Sequence, residues 1–398
     1  MPKSTKLPKY QKSQKHQKPS MTKSPKPHIA ILATGGTIAG LAPLCTSHST
    51  KERKASHSDE YSAGVLSIDE ILHSLVKKGG KNKKCKKLQN LARISTKQIT
   101  NIDSADMSDE VWLALAKEID TLFGRKSKVN GIVITHGTDT LEESAYFLHL
   151  VAKSQKPIVL VGAMRPANVK NSDGAKNLYN AIALAAHKDA KGVMIAMGGK
   201  ILSPRQASKA HTHRLDAFCA PSVLGSVRDG KVRFAKLPKL DKLAKLSKLD
   251  KKPTTLAKSK KDFALFLPYL KHRAPFCVRD CLGLPKVDIL YSYSNDGSGV
   301  AAKALFAHGA RGLVIAGSGA GSIHQAHKNA LKELISQGLI VVISSRINAG
   351  SVALKEADKK AGFISAGELN PQKARVLLML CLTCTSDKAK IQEYFEIY

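Results

Sequence analysis

Residues Gly131–Thr140 read GIVITHGTDT, an apolar, β-branched half running straight into small and polar residues with no turn cluster between them. An unalternating run of this kind is a strand buried on both faces, as in a parallel sheet covered by helices. Its abrupt polar end places Thr135, His136, Thr138, Asp139 and Thr140 where an open α/β sheet presents ligands, beyond the C-terminal edges of its strands. Six more runs share the pattern: 29–33 (IAILA), 157–163 (PIVLVGA), 192–197 (GVMIAM), 286–292 (KVDILYS), 312–317 (GLVIAG) and 339–345 (LIVVISS). Helical spacing falls between them at 109–123 (after an Asp/Ser cap), 141–152, 175–187, 300–308 and 327–337. This alternation predicts an α/β fold: a larger N-terminal domain with a mostly parallel sheet flanked by helices, and a smaller C-terminal α/β domain.

A chain of 398 residues exceeds the size at which one core stops growing, so two domains are the expectation. The spacing predicts a basic arm over 1–27, an N-terminal domain over 28–230, a Lys-rich linker over 231–284 and a C-terminal domain over 285–398. The net charge of +33 is concentrated. Lysines recur every third residue in the arm, Lys77–Lys87 reads KKGGKNKKCKK, and Lys236–Asp250 again repeats every three. A period of three fits neither a helix face nor a strand face, so the arm reads as disordered and the third run as a surface linker or poorly packed helix. Such charge favours anionic partners. Nucleic acid is nonetheless disfavoured, because aromatics are 5% of the chain and none interleaves with the lysine runs to stack bases.

No run is long and apolar enough to span a membrane, and the basic N-terminus lacks the apolar core of a signal peptide. The seven cysteines are scattered, and Cys381 with Cys384 lies in VLLMLCLTC, which reads as a buried helix. The expectation is a reducing, cytoplasmic setting without metal or cofactor; the alternative is a periplasmic protein whose natural start carries an export signal.

The first run leads into ATGGTIAG, Ala33–Gly40, where paired Gly35 and Gly36 let the backbone turn tightly beside a ligand. A plain glycine turn also fits it. The spacing is not that of a dinucleotide fingerprint and there is no P-loop lysine. In the second motif Asp139 can cap the following helix, and Glu142 and Glu143 suit its positive end. That reading leaves the three threonines and His136 unexplained, whereas a hydroxyl nucleophile beside a base and backbone N–H donors uses them.

ATGGTIAG together with VITHGTDTLEESAYF about a hundred residues later resembles the two active-site threonine motifs of the bacterial-type L-asparaginase family. VGAMRP (161–166), SDGAKNLYNA (172–181), SSR (344–346) and LNPQKARVLL (369–378) resemble that family in the same order, so the likeness spans roughly 28–398. It implies hydrolysis of L-asparagine to L-aspartate and ammonia through a threonine acyl-enzyme, with weaker L-glutaminase activity. Thr37 then matches the nucleophile and Tyr61, in EYSAGVLS, the tyrosine that assists it. Thr138 and Asp139, with Lys209 in RQASKAHT, match the second triad. The amides of Thr138 and Ala163 match the oxyanion donors, Asp139 the ammonium partner, and Ser104 the α-carboxylate binder. Asn295 and Glu356 match residues lent by a neighbouring subunit, which implies a homotetramer of two intimate dimers. Three departures stand out: a longer loop between Thr37 and Tyr61, Ala105 where exported relatives carry Gln, and the Lys-rich arm and linker.

Overall fold

The computed structural model describes residues 25–42, 62–77, 88, 90–235 and 274–398. Tyr61, Cys45, Cys85, almost all of the N-terminal arm and both internal lysine runs therefore lie outside the described residues, apart from Lys77.

Strands β1 (His28–Gly35), β2 (Arg93–Ile102), β3 (Gly131–Thr135), β4 (Ile158–Val161) and β5 (Val193–Met197) form the parallel part of one large sheet. Their order across it is β2-β1-β3-β4-β5. The chain moves outward from β1 to β2, then crosses back over β1 to lay down β3. That reversal opens a crevice beyond the carboxyl ends of β1 and β3, where doubly wound sheets bind ligands. The register sets those ends level: Ala33 lies opposite Thr135.

β6 (Lys200–Leu202), β9 (Gly225–Arg228) and β10 (Lys231–Phe234) extend the sheet antiparallel, while β7 (Ser208–Lys209) and β8 (Phe218–Cys219) make a separate two-stranded ribbon. β10 corrects the sequence reading that began the linker at 231. Lys231 and Arg233 face solvent, but Val232 and Phe234 between them pack against the core. The basic composition hides an ordinary amphipathic edge strand.

The second sheet is wholly parallel and runs in chain order, β11 (Val287–Tyr291), β12 (Gly312–Gly317), β13 (Ile340–Ser345) and β14 (Phe363–Ser365). Helix Leu141–Val151, buried along almost its whole length, packs against helix Pro371–Leu382 of the C-terminal domain. Side chains from both sheets accordingly share one apolar cluster. Cys381 lies inside it, and burial pushes its thiol up to about 12. The Ser108 cap expected before helix Asp109–Leu122 has the position but makes no hydrogen bond to the helix backbone.

Candidate active site

The two polar strand ends meet backbone to backbone. Gly36 has φ of 79°, and a Cβ added there would lie 2.2 Å from both Cα and N of Gly137. A Cβ on Gly137 would in turn lie 2.5 Å from Ser104 Oγ. Only glycine at both places lets the turn before Thr37 rest on the turn before Thr138. Thr34 Oγ1 donates to Thr135 O at 3.0 Å and ties the two strand ends together. Thr37 opens a short 3-10 turn, Thr37–Ala39, and is buried.

Thr138 is buried, and Lys209 Nζ lies 2.9 Å from its Oγ1 and 2.5 Å from Asp139 Oδ1. Thr138 and Asp139 are adjacent and Lys209 is 71 residues beyond Thr138, so the fold assembles this trio. The expected capping role of Asp139 is not adopted: Thr140 holds the N-cap position and the Asp139 carboxylate faces Lys209. Thr140 instead donates to Ser104 O at 2.7 Å. The amide of Asp139 donates to Ser104 Oγ at 3.2 Å, so Ser104, itself buried, is locked onto the second motif.

Ala163 belongs to the next loop along the sheet. A Cβ on its neighbour Gly162 would meet the Thr138 methyl at 3.0 Å, and one on Gly174 would touch Ile38 and Ala163 at 3.3 and 3.4 Å. Gly162 thus packs against Thr138, and Gly174 against both Ala163 and Ile38 of the Thr37 turn. The 161–166 loop is held from below by Asp173, whose carboxylate accepts the amides of Met164 and Arg165 at 3.1 Å and Asn177 Nδ2 at 2.9 Å. Asn177 also donates to Gly162 O at 3.1 Å. Burial raises the Asp173 carboxyl above its ordinary range despite those donors. Nothing in the run SDGAKN announces a task from sequence; its work is to fix the loop that carries the Ala163 amide.

His136 is wholly buried and structural. Its Nδ1 faces Gly137 O at 2.7 Å, which can only accept, so Nδ1 carries the proton. Nε2 then accepts the Ser144 hydroxyl at 2.8 Å, and Ser144 Oγ accepts Trp112 Nε1–H at 2.8 Å. Burial, partly opposed by the Gly137 carbonyl, holds the imidazole down to about 4.

Asp139 and Lys209 open onto a hollow of about 520 Å³, also lined by Glu142, Glu143, Asn348 and Asn370. Burial, strengthened by Glu142 and opposed by Arg375 and Lys373, raises Glu143 to about 7. Glu142, read from sequence as a partner for the helix's positive end, is buried and binds elsewhere. Its Oε2 accepts the amide of Lys209 at 2.7 Å and its Oε1 accepts Asn370 Nδ2 at 2.8 Å. Asn370 caps the next helix by accepting the amide of Lys373 at 3.0 Å. An Asn-Pro pair ahead of an apolar run is the sequence signal that finds this cap.

Two expected residues stand apart within the single chain. Glu356 is exposed and pairs with Lys359 at 2.6 Å, three residues on. Asn295 is exposed in the turn that follows β11, in the left-handed region, φ 65°. Neither lines the hollow. Ala105 is exposed in the turn after Ser104, its amide donating to Asp103 Oδ1 at 3.0 Å.

Residues 28–240 match the family model "Asparaginase, N-terminal" and residues 286–395 match "Glutaminase/Asparaginase C-terminal domain". The chain is similar to "Probable L-asparaginase periplasmic" of Haemophilus influenzae, 40% identical over 93% of each chain. It is 37% identical to "L-asparaginase 2" of Escherichia coli, covering 94% of this chain and 93% of the relative. Among solved structures, a "Probable Cytoplasmic L-asparaginase" from Campylobacter jejuni is 51% identical with a TM-score of 0.76, over 94% of this chain and all of that one. A Lys–Thr–Asp trio backed onto a second threonine turn, on a chain matched at both of its domains, shows that this chain belongs to the asparaginase family.

Proposed function

We propose that the chain hydrolyses L-asparagine to L-aspartate and ammonia, with weaker turnover of L-glutamine. The observation that carries this reading is the contact of Lys209 Nζ with both Thr138 Oγ1 and Asp139 Oδ1, at 2.9 and 2.5 Å. A lysine so placed can relay the proton of a hydroxyl or of a water beside it.

Thr37 Oγ forms a bond to the side-chain amide carbon, and its proton leaves with assistance from Tyr61. The amides of Thr138 and Ala163 receive the negative charge that grows on the carbonyl oxygen. The C–N bond then breaks as the nitrogen takes up the proton that left Thr37, ammonia departs, and an ester on Thr37 remains. Water, activated by Thr138 and Lys209, attacks that ester, releases aspartate and restores the hydroxyl. Asp139 accepts the substrate ammonium and Ser104 its carboxylate, charge-assisted contacts that orient the amide. An extra methylene separates substrates by about 1–3 kcal/mol, which leaves glutamine a slower substrate rather than an excluded one.

Asn295 and Glu356 serve the site of a neighbouring subunit, in a tetramer of two intimate dimers. Their exposure on the C-terminal domain, away from the hollow, supports that reading. The setting is cytoplasmic, in line with the name of the Campylobacter relative.

Ammonia release from each amide tests the chemistry: Thr37→Ala and Thr138→Val each abolish it, and turnover retained by either overturns the assigned role. Mixing inactive Thr37→Ala with inactive Glu356→Ala, after dissociation and reassembly, restores about a quarter of wild-type activity if sites are shared across an isologous pair. No recovery removes the shared site.

A further inference from the structure

We infer that Glu142 is a positioning residue, which sets the distance between Lys209 and Thr138 by clamping the Lys209 backbone to the C-terminal domain. This rests on the catalytic reading of Lys209 and Thr138 above.

The geometry is a short closed circuit. Thr138 and Glu142 are four residues apart, across the turn into helix Leu141–Val151. Glu142 Oε2 takes the Lys209 amide at 2.7 Å, while the far end of the same lysine reaches Thr138 Oγ1 at 2.9 Å. Lys209 is thus bound at both ends to one turn, backbone to Glu142 and ammonium to Thr138. β7 is only two residues long, belongs to neither main sheet and is paired with the equally short β8. Its other end is gripped from the C-terminal domain, where the buried Lys373 ammonium donates to Ala207 O. Lys373 Nζ also lies 3.9 Å from Glu142 Oε1, and Asn370 Nδ2 donates to that same oxygen. Three elements therefore meet on one buried carboxylate: the helix that begins the second motif, the strand that carries Lys209, and the first turn of helix Pro371–Leu382.

Asn370 cannot simply rotate its amide if Glu142 changes, because its Oδ1 already accepts the Lys373 amide as the helix cap. This makes the contact directional. Glu142→Gln keeps an acceptor for the Lys209 amide but turns an NH₂ toward the NH₂ of Asn370. Asn370→Asp keeps the cap but sets one carboxylate against another. The double variant, Glu142→Gln with Asn370→Asp, reverses donor and acceptor and keeps one negative charge. The new side-chain amide on the first helix then donates to the new carboxylate at the cap, and its oxygen still accepts the Lys209 amide.

Steady-state ammonia release from asparagine, by folded full-length protein of matched secondary structure, tests this. Each single variant lowers kcat about 10²-fold, the scale of a misplaced catalytic group, with KM changed less than about threefold. The double variant recovers to within about fivefold of wild type. A single variant with kcat within about twofold of wild type overturns the inference, as does a double variant no faster than the slower single. Wild type that releases ammonia and Lys209→Met that does not sustain the underlying reading independently. If wild type releases none, that reading is what falls.

Discussion

Glu143 and His136 sit seven residues apart within the second motif, and their protonation works in opposite directions. Burial raises the Glu143 carboxyl to about 7, so the folded chain holds that proton while the unfolded chain, with an ordinary carboxyl near 4.5, releases it. Acidification from pH 7 toward 4.5 therefore stabilises the fold through Glu143. Burial lowers His136 to about 4, against 6.5 for an ordinary imidazole. The unfolded chain takes up this proton first, so acidification from 6.5 toward 4 destabilises the fold. Between pH 7 and pH 5 each effect amounts to about 2 kcal/mol, from 1.36 kcal/mol per unit of displaced titration, and the two nearly cancel. Glu143→Gln removes only the first. Its unfolding free energy falls by about 2 kcal/mol more than that of wild type between pH 7 and pH 5. Urea unfolding at one protein concentration reads this directly through Trp112, the single tryptophan, which is buried, stacked on Phe147 at 4.9 Å and bonded to Ser144. Every other titrating group is common to both proteins and drops out of the comparison. Parallel stability curves for wild type and Glu143→Gln over this range would refute the reasoning.

Other perturbations follow from particular contacts. Ser144→Ala orphans both Trp112 Nε1 and His136 Nε2 in the core. At about 1–3 kcal/mol per unsatisfied partner the loss is about 2–6 kcal/mol in urea unfolding, and a loss below about 1 would show that neither bond matters. Gly36→Ala forces a methyl to within 2.2 Å of the Gly137 backbone at φ 79°. It abolishes ammonia release, and a fully active Gly36→Ala protein would contradict the close approach of the two turns. Ala105→Gln adds a donor beside Ser104 and lowers KM for asparagine about 5- to 150-fold, the equivalent of about 1–3 kcal/mol; an unchanged KM sinks that idea.

All seven unalternating strands occur where the pattern placed them; in six, burial on both faces demands continuous apolar residues, whereas β11 lies at a sheet edge with only Val287 buried and Tyr291 exposed. β2 escaped the same reading. Its sequence, RISTKQITNI, is an edge strand with no fully buried residue, so nothing in it forces an apolar run. β6 and β10 are short and carry lysine or arginine on their open sides. At the site, Thr37, Thr138, Asp139 and Lys209 could be named only from motifs, since spacing along the chain does not bring Lys209 to Thr138. Glu142 shows the opposite limit. Its place in a helix's first turn is explained by the helix dipole alone, and that sufficient local explanation conceals a partner 228 residues away. Asp173 and Asn177 were likewise invisible as supports because their targets are backbone amides and a carbonyl, which any sequence supplies.

The seam between Gly36 and Gly137 also bears on mutational repair. A crowded contact between two side chains has a remedy, because shrinking one makes room for the other. Here both partners already lack a side chain, and every atom that a Cβ on Gly36 would meet is main chain, of Gly137 and His136. No second substitution across the seam can compensate for a Cβ at Gly36, so a randomised library that varies Gly36 spends those clones without any route to recovery. Diversity aimed at substrate preference belongs instead at positions such as Ala105 and Asn348, where side chains border open space.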